Sequence, residues 1–288
     1  MREIFAADLL AGQRVLITGG GTGIGRHTAR RLLQLGAEVA ICGRRGDVLE
    51  KTAAELREEA PRAVISTWVC DIRSADAVEA MADGLWAERP LTALVNNAAA
   101  NFIAQTEKLS SRAADAILAV TLHGTLYCTL AVGRRWIEHG VPGVVLSILS
   151  TSTITGRPFT VPSAMAKSGV LAMTRSLAVE WGPRGVRLVA IAPGHFPTQG
   201  ASANLNPASR QGAPAVAFEI PNPLGRVGDH AELANLTAYL LSDAAGYING
   251  EMVTIDGGLH LRTSGAEDLL RWTDTQWDAH RAALSKRR

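Results

Sequence analysis

Short apolar runs alternate along this chain with longer stretches in which apolar and polar positions recur at helical spacing. The short runs are rich in Val and Ile and are apolar almost throughout, which is typical of strands covered on both faces. They predict seven strands, at Arg14–Thr18, Glu38–Cys42, Val64–Cys70, Ala93–Asn96, Val144–Ile148, Arg187–Ile191 and Met252–Ile255. The longer stretches predict helices at Gly25–Leu35, Asp47–Glu59, Ser74–Glu88, Arg112–His139, Ser163–Trp181 and Asp229–Leu241.

The alternation of strands and helices indicates one fold class. A repeated strand–helix unit predicts a parallel sheet with helices packed on both of its faces. The length of 288 residues suits one such domain with a substantial core. We therefore predict a single domain over residues 1–288, built as a three-layer, doubly wound, Rossmann-like α/β sheet of about seven strands. Outside its core we expect an N-terminal extension (1–12), a substrate-loop insertion (200–226) and a C-terminal helical tail (261–288).

One connection is longer than the others. Ala201–Pro223 is rich in Ala, Asn, Pro, Ser and Gln, and it falls between the sixth predicted strand and the next helix. Ligands of open α/β sheets bind beyond the carboxyl ends of the strands, and long connections inside compact domains are usually functional or disordered. We favour a substrate lid for this segment, and a mobile surface loop is the alternative.

Composition and charge argue against several kinds of partner. Apolar residues make up 47% of the chain and charged residues 19%, which is ordinary for a globular enzyme. Because the net charge is only +2, no electrostatic argument favours binding to nucleic acid or to an anionic membrane. Cys42, Cys70 and Cys128 match no zinc-site spacing and suit a reduced compartment, so we expect no metal. Residues 1–12 resemble neither a signal peptide nor a membrane span. The expectation is a soluble, cytoplasmic protein.

A glycine-rich segment, Thr18-Gly19-Gly20-Gly21-Thr22-Gly23-Ile24-Gly25, lies between the first predicted strand and the first helix. Glycines let the backbone turn sharply and approach a pyrophosphate, and the following helix N-terminus offers free N–H groups. A simple tight turn is the alternative, but the strand before and the helix after favour a dinucleotide site. The candidate cofactor contacts here are Gly19, Gly20, Thr22, Gly23, Ile24 and Gly25.

The end of the second predicted strand indicates which dinucleotide binds. Sheets that bind NAD place an Asp or Glu there to hold the ribose 2′-hydroxyl, whereas this chain has Cys42-Gly43-Arg44-Arg45. A carboxylate would repel a 2′-phosphate, and a guanidinium pairs with it. We therefore predict NADP(H) as the cofactor and Arg44, at the strand end, as its 2′-phosphate contact. A solvated Arg pair at a helix start is the alternative.

Three further motifs follow other strands: Asp71 after the third, Asn96-Asn97-Ala98-Ala99 after the fourth, and Pro193-Gly194 after the sixth. Together with the glycine turn, they resemble the short-chain dehydrogenase/reductase family over nearly the whole chain. The resemblance implies that Asp71 holds the adenine edge and that the loop after the sixth strand anchors the nicotinamide. The implied cofactor contacts are Asp71, Ile72, Asn97, Ala98, Lys167, Pro193, Gly194, Phe196 and Thr198.

The family's usual catalytic set is a Ser, a Tyr-x-x-x-Lys and an Asn from the long helix. Ser150 fits the Ser and Lys167 fits the Lys, but Ser163 stands at the Tyr position and Thr121 at the Asn position. The tyrosines, Tyr127, Tyr239 and Tyr247, all lie outside residues 147–167. Because a Ser hydroxyl is a much weaker acid than a phenol beside an ammonium, ordinary alcohol–ketone interconversion is disfavoured.

One branch of the family, the 2,4-dienoyl-CoA reductases, has Ser at this place. This chain resembles that branch at residues 96–102, 161–167, 178–182 and 248–250 and in the tail around Trp272 and Trp277. The resemblance implies NADPH-dependent reduction of a conjugated acyl thioester, in which negative charge develops on the thioester oxygen. The implied catalytic residues are Asn101 and Lys167 at that oxygen, with Ser163, Ser150 and Ser152 nearby. Water would supply the proton, with His195 as second choice.

The resemblance also implies substrate contacts at Phe102 and Ser110, and at Arg73 toward a CoA phosphate. Two positions depart from the branch. Ser152 stands where mitochondrial-type members carry a Tyr, and Asn204 where the branch tends to carry a basic residue. Ser150, Ser152 and Ser163 have turn or cap roles as alternatives. For His123, in the long helix, packing or a solvated face is favoured over chemistry.

Two other functions stay open at this point. One is a carbonyl or imine reductase that uses Ser152 or His195 in place of Tyr, and the other is an NADP-binding protein with little turnover. The family resemblance further implies a homotetramer of two-fold symmetry. The apolar content of Ala113–Trp136 and Leu171–Trp181 is compatible with such an assembly and equally with packing inside one subunit.

Overall fold

The computed structural model describes residues 3–198, 222–262 and 266–285. Apolar runs of four to eight residues form the strands of one sheet, and each begins and ends within two residues of its predicted bounds. The strands are β1 (Arg14–Thr18), β2 (Glu38–Gly43), β3 (Ile65–Val69), β4 (Ala93–Asn96), β5 (Gly143–Ile148), β6 (Val186–Pro193) and β7 (Met252–Ile255).

Helices connect these strands, and the six predicted from the sequence are confirmed to within two residues. Ser74 and Asp229 end up as N-caps of the helices that they were predicted to begin, because each side chain accepts a backbone N–H of the first turn. The helices are α1 (Gly23–Gln34), α2 (Gly46–Glu59), α3 (Ala75–Glu88), α4 (Ser111–Leu118), α5 (Gly124–His139), α6 (Ser152–Thr155), α7 (Val161–Trp181), α8 (His230–Leu241) and α9 (Asp274–Ser285).

The sheet has the strand order β3-β2-β1-β4-β5-β6-β7, and each neighbouring pair is parallel. The chain moves outward from β1 to β3 and then crosses back to place β4 on the other side of β1. The connections after β1 and β4 therefore diverge at the carboxyl edge and leave a crevice there, which is where open α/β sheets bind ligands. The predicted doubly wound, Rossmann-like fold is confirmed.

Alternate residues of the central strand point into two separate cores. Val15 and Ile17 of β1 pack with Leu32 of α1, whereas Leu16 packs on the opposite face with Leu85 of α3. All five side chains are fully buried. This period of two produces the three layers, with α1, α2 and α8 on one face and α3 and α5 on the other.

The helical segment 111–139 differs from its prediction in one respect. The sequence predicts one regular helix, but a π-helical turn at Ala119–His123 separates α4 from α5. By length and composition alone this segment is apolar enough to cross a membrane. Half of its most apolar window is buried in the fold, and the fully buried Trp136 donates its indole N–H to the Leu91 carbonyl. Packing in the core thus accounts for the apolar composition.

The three predicted peripheral segments are described to different extents. In the N-terminal one, Leu10 is fully buried and its N–H donates to the Leu35 carbonyl, so this segment packs on the core. In the predicted loop insertion, residues 200–221 lie outside the described residues. In the tail, α9 follows a 3-10 turn, and the Trp272 and Trp277 rings lie 4.9 Å apart between their centroids.

Candidate active site

The glycine turn joins β1 to α1 in a conformation that few side chains tolerate. Gly19 and Gly23 have positive φ angles of 66° and 53°. A Cβ atom added at Gly25 would lie 2.4 Å from the Gly19 carbonyl oxygen, and one added at Gly20 would lie 2.5 Å from Ile41. The backbone can therefore pass this close only where those side chains are absent.

A cavity of about 430 Å³ opens directly above this turn. It lies at the carboxyl ends of β1, β2, β3 and β4, at the point where the strand order reverses. Thr22, the N-cap of α1, makes no side-chain capping bond within the described part of the chain, so the first turn presents its N–H groups to the cavity. The predicted cofactor residues that line it are Gly19, Thr22, Gly23, Ile24, Arg44, Asp71, Ile72, Asn97, Ala98 and Thr198.

The rim of this cavity carries charged side chains. Arg44 and Arg45 are exposed and line it after β2. Asp71 lies after β3 and accepts three hydrogen bonds from the Arg73 guanidinium: Nε donates to Oδ1 at 2.9 Å and to Oδ2 at 3.0 Å, and Nη2 donates to Oδ2 at 2.5 Å. These bonds, with a smaller contribution from the Arg44 charge, lower the pKa of the Asp71 carboxyl. The balance of charge among the residues that line the cavity is positive, because Arg44 and Arg45 outnumber the one carboxylate, Asp71.

The loop after β4 is tied to the end of β1. The Asn97 and Ala98 N–H groups both donate to the Thr18 hydroxyl at 3.0 Å, and the Asn97 amide donates to the Thr18 carbonyl at 2.9 Å. These bonds fix one wall of the cavity. Thr18 itself was not singled out from the sequence, although its place at the end of a buried strand next to the glycine turn was an available signal.

Lys167 lies on the second turn of α7 and is only 7% exposed. Its ammonium donates to the carbonyl oxygen of Ile148, the last residue of β5. Burial lowers the pKa of this ammonium to about 8, so the charged form still predominates at neutral pH. Ser163 is one turn earlier on the same helix face and is also buried at 7% exposure.

Ser150 lies between β5 and α6, and Ser152 is the first residue of α6. Their hydroxyl oxygens are 2.9 Å apart, and the Ser152 N–H also donates to the Ser150 hydroxyl. Ser152 is 8% exposed and begins α6, so the structure brings the predicted pair together in a tight turn. This arrangement agrees with the turn role that the sequence left open for both residues, and their catalytic role stays a prediction.

Asn101 is the candidate catalytic side chain that lines the cavity. It is half-buried, and its amide oxygen is buried with no hydrogen-bond partner among the described residues. Lys167 lies near the same carboxyl edge of the sheet. Its partner Ile148 is the residue after Ser147, and Ser147 pairs with Asn96 at the end of β4. Neighbouring strands are about 4.8 Å apart. The predicted catalytic residues that do not line this cavity are Lys167, Ser163, Ser150 and Ser152.

The loop after β6 divides into two parts. The Gly194 N–H donates to the Ile255 carbonyl of β7, and a Cβ at Gly194 would lie 2.6 Å from Asp256. His195 and Phe196 line a separate cavity of about 70 Å³. Thr198 reaches the large cavity, where a Cβ at Gly23 would meet it at 3.2 Å. The predicted cofactor residues outside the large cavity are Gly20, Gly25, Lys167, Pro193, Gly194 and Phe196.

The three predicted substrate contacts lie apart from the large cavity. Ser110 is exposed and caps α4, since its hydroxyl accepts the Ala113 N–H at 3.2 Å. Arg73 is occupied by Asp71, and Phe102 is half-buried in the segment after β4. Their contact with a substrate stays a prediction. Arg45 and Val48 line the cavity although the sequence did not single them out.

A glycine turn and an α-helix N-terminus at the switch point of a parallel sheet define a dinucleotide-binding α/β protein. Residues 19–260 match the family model described as enoyl-(acyl carrier protein) reductase. The chain belongs to the short-chain dehydrogenase/reductase family, and it is therefore an oxidoreductase of a family that uses nicotinamide cofactors. The family predicted from the sequence is confirmed.

Named relatives and solved structures agree with this membership. The chain is 40% identical over 247 residues to a Bacillus subtilis protein named probable 2,4-dienoyl-CoA reductase, over 85% of this chain and 95% of the relative. It is 34% identical to the citronellol catabolism dehydrogenase structure from Pseudomonas aeruginosa, with a TM-score of 0.76 over 89% of this chain and 98% of that one. A dehydrogenase structure from Agrobacterium tumefaciens with bound NADP is 28% identical, with a TM-score of 0.79 over 89% and 100% of the two chains.

Proposed function

We propose that this protein is an NADPH-dependent reductase of conjugated acyl thioesters, of the 2,4-dienoyl-CoA or enoyl-CoA type. One observation carries the proposal: a buried, charged Lys167 has Ser163 rather than a phenol one turn before it. An ammonium stabilises a developing oxyanion without giving up its proton, whereas alcohol–ketone chemistry needs an acid of phenol strength there. The named Bacillus subtilis relative supports the same reaction class.

The residues around the cavity fit NADP(H). The close packing of Gly25 against the Gly19 carbonyl fixes the shape of the turn, and the N-terminus of α1 would hold the negative charge of a pyrophosphate. Arg44 would pair with the 2′-phosphate at the rim, where guanidinium groups outnumber carboxylates. When bound, the cofactor would supply the hydride. The NADP found in the Agrobacterium tumefaciens structure supports this choice over NAD.

Asn101 and Lys167 would share the stabilisation of the thioester oxygen. The donor for this oxygen would be the Asn101 NH2 group, and the amide is not held through its oxygen, which has no hydrogen-bond partner among the described residues. Lys167 would contribute positive charge from a low-dielectric site, where a charge acts more strongly than in water. Ser163 would hydrogen-bond beside it, and a water molecule held in the site would deliver the proton to carbon.

The proposal is tested by following NADPH oxidation with 2,4-hexadienoyl-CoA, a 2-enoyl-CoA and a panel of simple ketones. We expect turnover of a conjugated thioester and at least about 100-fold lower kcat/KM for the ketones, because the phenol acid is missing. Ketone turnover that exceeds thioester turnover would contradict the proposal. Tight NADPH binding without turnover of any panel member would instead favour a protein that only binds the cofactor.

We also propose that the protein acts in the cytoplasm as a homotetramer. Along α7, Met165 is 58% exposed and Val179 is 80% exposed, and these large apolar side chains lie on one side of the helix with Ala172 between them. Such a stripe suits packing against a second copy of the same helix across a two-fold axis. Light scattering coupled to size-exclusion chromatography tests it, and a monomeric mass would contradict the assembly.

A further inference from the structure

Thr121 lies in the π-helical turn Ala119–His123 between α4 and α5 and has no exposed surface. A π turn adds one residue to a helical turn, and such turns are frequent at functional sites. Thr121 faces the loop that follows β4, on which Asn101 stands. The location of Thr121 does not by itself indicate a function, whereas the hydrogen bonds of its hydroxyl group do.

The Thr121 hydroxyl makes two hydrogen bonds with one residue. It accepts the Ala100 N–H at 3.1 Å and donates to the Ala100 carbonyl at 3.3 Å. The first of these groups belongs to the peptide before Ala100 and the second to the peptide that links Ala100 to Asn101. One side-chain oxygen therefore fixes both peptide planes immediately before the candidate oxyanion donor.

The loop has little else to fix it at this point. Residues 97–104 form no regular secondary structure. Among the described residues, the loop is held at its start by the Thr18 hydroxyl and at its end by the Ala104 N–H, which donates to the Phe159 carbonyl at 2.9 Å. Thr121 holds the middle. Without the Thr121 hydroxyl, the fixed points of the backbone nearest to Asn101 would be Ala98 and Ala104, each three residues away.

We infer that Thr121 is a positioning residue, whose hydroxyl holds the Ala100–Asn101 peptide so that the Asn101 amide meets the thioester oxygen. This inference rests on the proposed function. The hydroxyl proton is donated to the Ala100 carbonyl and Thr121 has no exposed surface, so Thr121 acts through Asn101 and not on the substrate itself. Because the phosphate side of the cavity is anchored separately through Thr18, cofactor binding does not depend on it.

The test compares Thr121→Val, which keeps the shape and removes the hydroxyl, with Thr121→Ser, which keeps the hydroxyl. With 2,4-hexadienoyl-CoA we expect Thr121→Val to lower kcat about 10–100-fold, because a misplacement of about 1 Å costs that much. The NADPH Kd, measured by its fluorescence, should stay within about twofold, and Thr121→Ser should recover most of the rate. Thr121→Cys, with a weak donor of similar size, replaces Thr121→Val if that variant does not fold.

A double-mutant cycle separates positioning from mere stabilisation. If Thr121 acts through Asn101, Thr121→Val should cost little further kcat in an Asn101→Ala background. A Thr121→Val enzyme with unchanged kcat, or an undiminished loss in the Asn101→Ala background, overturns the inference while leaving the proposed function intact. A wild-type enzyme that reduces no conjugated thioester overturns both.

Discussion

The two sides of the site are built from different parts of the chain. On the cofactor side, the backbone forms the site. The glycines after β1 leave no room for side chains, and the Thr18 hydroxyl holds the neighbouring loop by hydrogen bonds. On the proposed reacting side, single side chains form the site: Lys167 is buried and donates to the Ile148 carbonyl, and Asn101 is half-buried with no partner for its amide oxygen among the described residues. A backbone site constrains many residues at once, whereas a side-chain site changes with one substitution.

This difference explains why the chain keeps the family's cofactor pattern and departs from its usual catalytic set. At Gly25 any side chain would collide with the Gly19 carbonyl, so change there is costly. Ser163, four residues before Lys167, stands in α7, whose backbone hydrogen bonds do not depend on which side chain that position carries. The reacting side can thus acquire a different chemistry while the cofactor side stays the same.

The largest effect is expected at Lys167. Lys167→Met keeps the length of the buried stem and removes the charge, so we expect kcat for a conjugated thioester to fall about 1,000-fold, as for the loss of one principal oxyanion donor. The apolar replacement removes a buried charge, so folding should not suffer. Stopped-flow kinetics give the rate, and thermal unfolding gives the stability. A variant with full activity would contradict the proposed role.

Gly25→Ala should produce the next largest effect, on the cofactor side. The added methyl would lie 2.4 Å from the Gly19 carbonyl oxygen, so the turn must open, at a cost of about 1–3 kcal/mol. We expect NADPH affinity to fall up to about 100-fold, measured by isothermal titration. Gly43→Ala is the matched control, because its Cβ would make an ordinary 3.7 Å contact with Leu49 in the same cavity wall. Equal losses of NADPH affinity in the two variants would show that the close contact between Gly25 and the Gly19 carbonyl does not determine cofactor binding.

The sequence predicted the backbone-built side more completely than the side-chain-built side. Strand periodicity, the glycine turn and the strand ends place Gly19, Arg44, Asp71 and Asn97 around one cavity, because parallel strands bring their carboxyl ends to one edge. The anchors formed by hydrogen bonds between distant segments were missed. Thr121 illustrates why: nothing in its own segment shows that its hydroxyl meets Ala100, since that contact depends on how the helix packs on the loop.

Arg44→Ala should weaken NADPH binding about 10–100-fold and leave NADH binding nearly unchanged. The physical reason is that only NADPH carries the 2′-phosphate, and a charge-assisted hydrogen bond contributes roughly 1.5–3 kcal/mol. Fluorescence titration with both cofactors gives the ratio of the two Kd values, and Arg45→Ala provides the neighbouring control on the same rim. Equal weakening for both cofactors would contradict the assignment of Arg44 to the phosphate.

The smallest effect is expected in the pH dependence of both kcat and the free energy of unfolding, which the ionisation of Lys167 should change together. Burial lowers the pKa of Lys167 from its ordinary value of 10.5 to about 8, so the folded protein loses this proton before the unfolded chain does. Loss of the charge should lower kcat about tenfold by pH 9.

The stability should change in the other direction. Between about pH 8 and 10.5 the unfolded state binds more protons than the folded state, so the contribution of Lys167 to the free energy of unfolding should rise with pH. Activity and stability therefore change in opposite directions, which alkaline denaturation would not produce. Lys167→Met should lack this rise in urea unfolding, and a rise that persists in the variant would assign it to another group.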